Sequence, residues 1–146
     1  MKTILAAMFM PFLGPAAFGQ GVVPATAVHA YDGEWSVVLV CADTRDHSGL
    51  VKGYEYTFHV SIANGQLKGQ YGEKDAPSSV VYSGEVGADG SLELHAVGNT
   101  GSAGYSVGKV ARGTPYSYTL TGKLEATRGH AVRRELRPCT AEFGRL

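Results

Sequence analysis

An excess of charge of either sign is missing from this sequence: 13 lysines and arginines balance 13 aspartates and glutamates. No overall field therefore draws it to nucleic acid or to a lipid surface. Long apolar runs are missing too. The one such segment, Ile4 to Leu13, is too short to span a bilayer comfortably and contains Pro11. Past it, no stretch shows a helical period. The five histidines, His29, His47, His59, His95 and His130, are scattered without the spacing of a metal motif. There is no Gly-x-Ser-x-Gly elbow and no phosphate loop. Neither an enzyme nor a cofactor is expected. Asp43, Asp46 and His47 have ligand chemistry without a defined spacing, and are read as a solvated loop, as are Glu73 and Asp75. Tryptophan occurs once, as Trp35, and cysteine twice, as Cys41 and Cys139.

What is present begins with an N-terminal address. Lys2, the apolar run, and the small residues around Ala17-Phe18-Gly19 have the layout of a secretory signal peptide, with cleavage before Gln20. Residues 1–19 are thus expected to be the signal, 20–31 a flexible leader and 32–146 one domain. The expected localisation is periplasmic or secreted, without membrane insertion after cleavage, and there a disulfide is chemically reasonable. Charge is unevenly spread. Ten acids precede residue 94, while Lys123, Arg128, Arg133, Arg134, Arg137 and Arg145 gather near the end. The basic run is read as a solvated strand face paired with Glu125, Glu135 and Glu142, with a face for an anionic partner as the alternative.

Abundant glycine, frequent tyrosine and recurrent period-two alternation argue an all-β domain. Eight strands are expected, over 34–41, 54–63, 66–72, 79–87, 91–97, 104–110, 116–126 and 132–144. In the second, Tyr54, Tyr56, Phe58, Val60 and Ile62 share one face. In the seventh, Tyr116, Tyr118, Leu120, Gly122 and Leu124 do. Asn64-Gly65 and Asp89-Gly90 are hairpin signals, and Arg112–Pro115 is read as a third compact turn. In an up-and-down meander these three turns fall at one end. The longer links, 42–53, 73–78, 98–103 and 127–131, then fringe the other. The result is an eight-stranded antiparallel barrel with one tight end and one mouth.

The cysteines test closure. If Cys41 lies opposite Cys139 in an antiparallel pair, Leu39 faces Ala141, Val37 faces Phe143 and Trp35 faces Arg145. These are compatible partners. A bond there zips the first strand to the last and removes both sheet edges. The alternative is two free buried thiols.

Gly33-Glu34-Trp35 on the first strand and Arg145 on the last resemble the closed-end signature of the lipocalin and avidin-like barrels. The resemblance implies that Trp35 plugs the base and Arg145 packs across it. Gly113-Thr-Pro-Tyr-Ser-Tyr118 and Arg137-Pro-Cys-Thr140 are similar to a family of small exported bacterial proteins of unknown function, which brings no activity with it.

Strand direction places Tyr54, Tyr71 and Tyr105 at the mouth, Tyr56 a step deeper, and Arg137 on the Cys139 face with Glu135 one pleat above. Such a ring suits a small aromatic or anionic ligand. A barrel filled by its own side chains is the competing expectation. Gly69, Gly84, Gly108 and Gly122 either leave room for a ligand or permit sharp coiling. The expected function is an exported, non-enzymatic, small-molecule-binding barrel. The alternative is a protein-interaction module, such as an inhibitor or accessory of an exported or envelope protein, that uses the leader and the 42–53 loop. A purely structural envelope role is the third.

Overall fold

Alternation along the first strand, β1 (Gly33–Cys41), buries Trp35, Val37, Leu39 and Cys41 and turns the residues between them outward. The same inside–outside rhythm recurs down the computed structural model, which describes residues 30–146. Signal, cleavage site and most of the leader lie outside the described residues. The remaining strands are β2 (Thr44–Asp46), β3 (Gly49–Val51), β4 (Tyr54–Ala63), β5 (Gln66–Tyr71) and β6 (Ser79–Val86). They are followed by β7 (Ser91–Asn99), β8 (Pro115–Leu124), β9 (Arg128–Arg133) and β10 (Cys139–Arg145). Eight of them close an antiparallel barrel in the order β1-β10-β9-β8-β7-β6-β5-β4, while β2 and β3 form a separate hairpin.

Closure occurs in the register read from the cysteines. Trp35 pairs with Arg145, Val37 with Phe143, Leu39 with Ala141 and Cys41 with Cys139. The two sulfurs are bonded, with Cα atoms 4.1 Å apart and a sequence separation of 98.

Two strand expectations are corrected. Residues 104–110 form two 3-10 turns, Ala103–Tyr105 and Val107–Lys109, in place of a strand. Gly108 and Lys109 adopt φ of 72° and 48°, which breaks extended backbone, and the Gly108 N–H donates to Asp46 Oδ2 at 2.6 Å. The expected link 127–131 and strand 132–144 are instead two strands, β9 and β10, with the break over 134–138. Leu136 has φ of 59°, and Pro138 has no N–H to give a ladder. One strand lost and one gained keeps the total at eight, but β8 now runs from mouth to base. Consequently Arg112–Pro115 belongs to a long mouth loop, 100–114, and the turn between β8 and β9 lies at the tight end over 125–127. At that end Asp32 caps the Asn64-Gly65 turn, accepting the N–H groups of Asn64 at 2.8 Å and Gly65 at 3.1 Å.

The base is solid. Trp35, fully buried, donates its indole N–H to Tyr31 O at 3.0 Å. The Arg145 guanidinium lies 5.6 Å from the Trp35 ring and donates to the carbonyls of Ala30, Asp32 and Ala126. Gly33 beside it is required by the backbone and not by space: its φ of 133° is one that side chains rarely adopt, whereas a Cβ would sit in ordinary contact, 3.5 Å from the guanidinium. Of the inward glycines, Gly69, Gly84 and Gly122 have Val60 Cγ1, Glu93 O and His130 O respectively in the space a Cβ would need. They serve close strand approach and coiling rather than leaving volume for a guest.

Candidate functional site

Above the packed base the wall changes character. β4 pairs with β5 only from Val60–Gly69 downward, and β8 with β9 only from Thr121–Val132 downward. Among the described residues, the mouth-side stretches Tyr54–His59 and Pro115–Leu120 therefore lack a ladder partner on that side, and side chains and loops line the gap. The space enclosed is a cavity of about 520 Å³.

Two tyrosine walls bound it. On one, Tyr54 and Tyr56 of β4 sit 4.7 Å apart, and Tyr56 stacks on Tyr71 of β5 at 4.0 Å. On the other, Tyr116 of β8 lines the space, its ring parallel to that of the buried Tyr118 5.9 Å away. β4 and β8 stand four places apart in the closed order of eight strands, so the walls face each other across the barrel. Buried in the core, Tyr82 stacks on Phe58 at 4.4 Å, with its hydroxyl 3.3 Å from that of Tyr118.

All five residues singled out from sequence lie on the cavity wall: Tyr54, Tyr56, Tyr71, Tyr105 and Arg137. Tyr105 gets there from a 3-10 turn, half-exposed at the rim. Arg137 is 2 % exposed, and its guanidinium is already engaged. Nη1 donates to Tyr105 O at 2.7 Å, and Nη2 to the carbonyls of Val51 and Lys52. Its Nε is buried without a hydrogen-bond partner among the described residues, while the Tyr54 ring lies 5.0 Å from Cζ. Arg137 is thereby a strut tying the β2–β3 hairpin and the 100–114 loop to the root of β10.

The mouth loops are braced elsewhere as well. The Lys52 N–H donates to Gly104 O at 2.9 Å, and Thr100 and Thr114 close the base of the 100–114 loop. Asp46 accepts from Ser48 and from the Gly108 amide, and these bonds lower its carboxyl to about 2. Asp43 accepts the Gly53 N–H. These acids are loop ties, and no group of three or more metal-ligating side chains gathers among the described residues.

Sequence reasoning did not place Tyr116, Tyr118 or Arg133 at the site. The extra strand over 104–110 inverted β8 and put Tyr116 at the tight end, although its inward parity was read correctly. In sequence, Arg133 is read with the basic run as part of a solvated strand face. It ends β9 opposite Cys139, and its guanidinium lies 4.3 Å from the Tyr118 ring. Pro138 was the available signal for the break. Glu135, expected above Arg137 on the inner face, points outward, where Oε1 accepts the Thr119 N–H at 3.4 Å. The basic run is no single solvated face: Arg128 pairs with Glu125 in solvent, Arg137 is buried and Arg133 lines the cavity. None of the described histidines lines it.

Burial raises the phenol pKa values of Tyr54, Tyr82, Tyr116 and Tyr118, and pushes that of Tyr56 up to about 12. Each raised phenol stays neutral in the fold where the unfolded chain would ionise it. The stability linked to them is complete below the ordinary value of 10.0 and drains away as pH rises through the raised values. In an alkaline titration, the final rise of tyrosinate absorbance at 295 nm is therefore expected to coincide with loss of β-sheet ellipticity. Complete ionisation with the ellipticity intact contradicts this burial.

Compared with protein-family models, with curated proteins and with solved structures, the chain shows no significant match.

Proposed function

We propose that this protein is an exported, non-enzymatic barrel that holds one small organic molecule between its two tyrosine walls. The observation that carries the reading is the cavity itself. Its volume of about 520 Å³ falls inside the range of roughly 300–1,000 Å³ usual for small-molecule sites, and flat apolar rings with a few polar tips line it. Packing of Trp35 beneath Arg145 supports a lipocalin- or avidin-like relationship, whose members carry guests in such cups. The signal-like N-terminus and the Cys41–Cys139 bond support export to an oxidising compartment.

Native mass spectrometry of protein purified from its own host tests the reading. A retained small molecule, lost on Tyr116→Ala with the fold intact, is the expected result. An empty monomer that also takes up no aromatic probe counts against it. A second reading rests on the lip of the mouth, where Leu50, Tyr105 and Leu136 are exposed, Leu136 by 78 %. Such a rim suits a protein-interaction module, an inhibitor or accessory of another exported protein. A co-purifying protein in the same spectrum would favour it. The β2–β3 hairpin would then be a firm contact platform, since Asp46 and Lys52 fasten it to the neighbouring loop.

A further inference from the structure

We propose that the guest is a flat aromatic anion, with its rings between the tyrosine walls and its carboxylate, or a similar planar oxyanion, on the guanidinium of Arg133. This rests on the reading of the cavity as a small-molecule site and adds the chemistry of its occupant.

Three observations carry it. First, charge in the cavity has one sign. Among the described residues lining it, Arg133 and Arg137 are the charged ones, and no aspartate or glutamate joins them. Low-dielectric walls concentrate such a field on whatever enters. Second, the two arginines are not equivalent. Arg137 has spent its terminal nitrogens on the carbonyls of Tyr105, Val51 and Lys52. Arg133 donates only through Nε, to Glu135 O at 3.1 Å, and neither terminal nitrogen has a hydrogen-bond partner among the described residues. No carboxylate lies within ion-pair distance of it there. A planar fork with two uncommitted NH2 groups fits an oxyanion in bidentate fashion. Third, the fork is held in place. Its Cζ lies 4.3 Å over the Tyr118 ring, and the Nε bond limits its turn about the side chain. The donors therefore stand beside the β8 aromatic wall, where a stacked ring would present its substituent.

The probes are 2-naphthoate and its neutral isostere 2-naphthamide, measured by isothermal titration on the disulfide-intact protein. Naphthoate is expected to bind about tenfold or more tighter, the increment of a charge-assisted hydrogen bond. Arg133→Met keeps the apolar stem over Tyr118 and removes the charge. It should bring naphthoate down to the naphthamide affinity while leaving naphthamide within about twofold of wild type. Tyr116→Ala should weaken both probes alike. If wild-type protein binds the two equally, or if Arg133→Met keeps the preference for naphthoate, the Arg133 anchor is overturned while the cavity still takes small molecules. If neither probe binds, the proposal falls together with the reading beneath it. Should Arg133→Met fail to fold, the wild-type comparison of naphthoate with naphthamide still decides.

Discussion

Replacing both cysteines, Cys41→Ala with Cys139→Ala, is expected to cost about 4–5 kcal/mol of stability, the entropy-model value for a closed loop near 100 residues. The bond joins residues 98 apart and pins the β1–β10 seam where both strands reach the mouth. Without it the unfolded chain recovers the freedom of nearly the whole domain. Alanine suits the substitution because both sites are almost fully buried, so no new polar group is stranded. A loss of that size should lower Tm by about 15 °C in a domain of this length. Thermal melts of the variant, and of wild type with and without reductant, check it. A shift below about 5 °C would show that the ladder between β1 and β10 closes the barrel unaided. Far-UV ellipticity at low temperature should survive in the variant, since the packed base does not depend on the bond.

Removal of the Arg137 guanidinium is the next largest effect. Arg137→Met keeps an apolar stem and strips three carbonyls, on Val51, Lys52 and Tyr105, of their donor. Hydrogen bonds to a charged group contribute about 1.5–3 kcal/mol each, and water can reach part of what is vacated. A loss of about 3 kcal/mol, or about 10 °C in Tm, follows. Arg137→Lys should not restore it, because one ammonium on a flexible stem cannot span carbonyls from two separate loops. Hydrogen exchange localises the change. The amides of Lys52 and Gly108, which bond the β2–β3 hairpin to the 100–114 loop, should lose protection first. Unchanged Tm together with abolished naphthoate binding would reverse the assignment and make Arg137 the ligand contact.

The distinction between the two arginines was invisible in sequence. Both share inward parity with Cys139 in an unbroken strand 132–144, and Arg137 is simply the nearer to it. Leu136 and Pro138 break that strand, and the fold then spends Arg137 on carbonyls from segments 32 to 86 residues away. Tyr116 shows the same limit from the other side. Period two declared that it points inward, but only the number of strands before it decides which end it reaches. Alternation in the glycine-rich stretch 104–110 looked like a strand, whereas two successive positive φ values make it a pair of tight turns.

Linear order was therefore enough to determine the all-β character, the inward face of the strands it recognised and the pairing frame across the closing seam. Each of these follows from side-chain alternation and from the two cysteines. The depth at which a tyrosine sits, and which guanidinium keeps its donors uncommitted, were decided only by folding. Both depend on where the chain reverses and on carbonyls that distant loops bring into reach, and local periodicity carries no information about either.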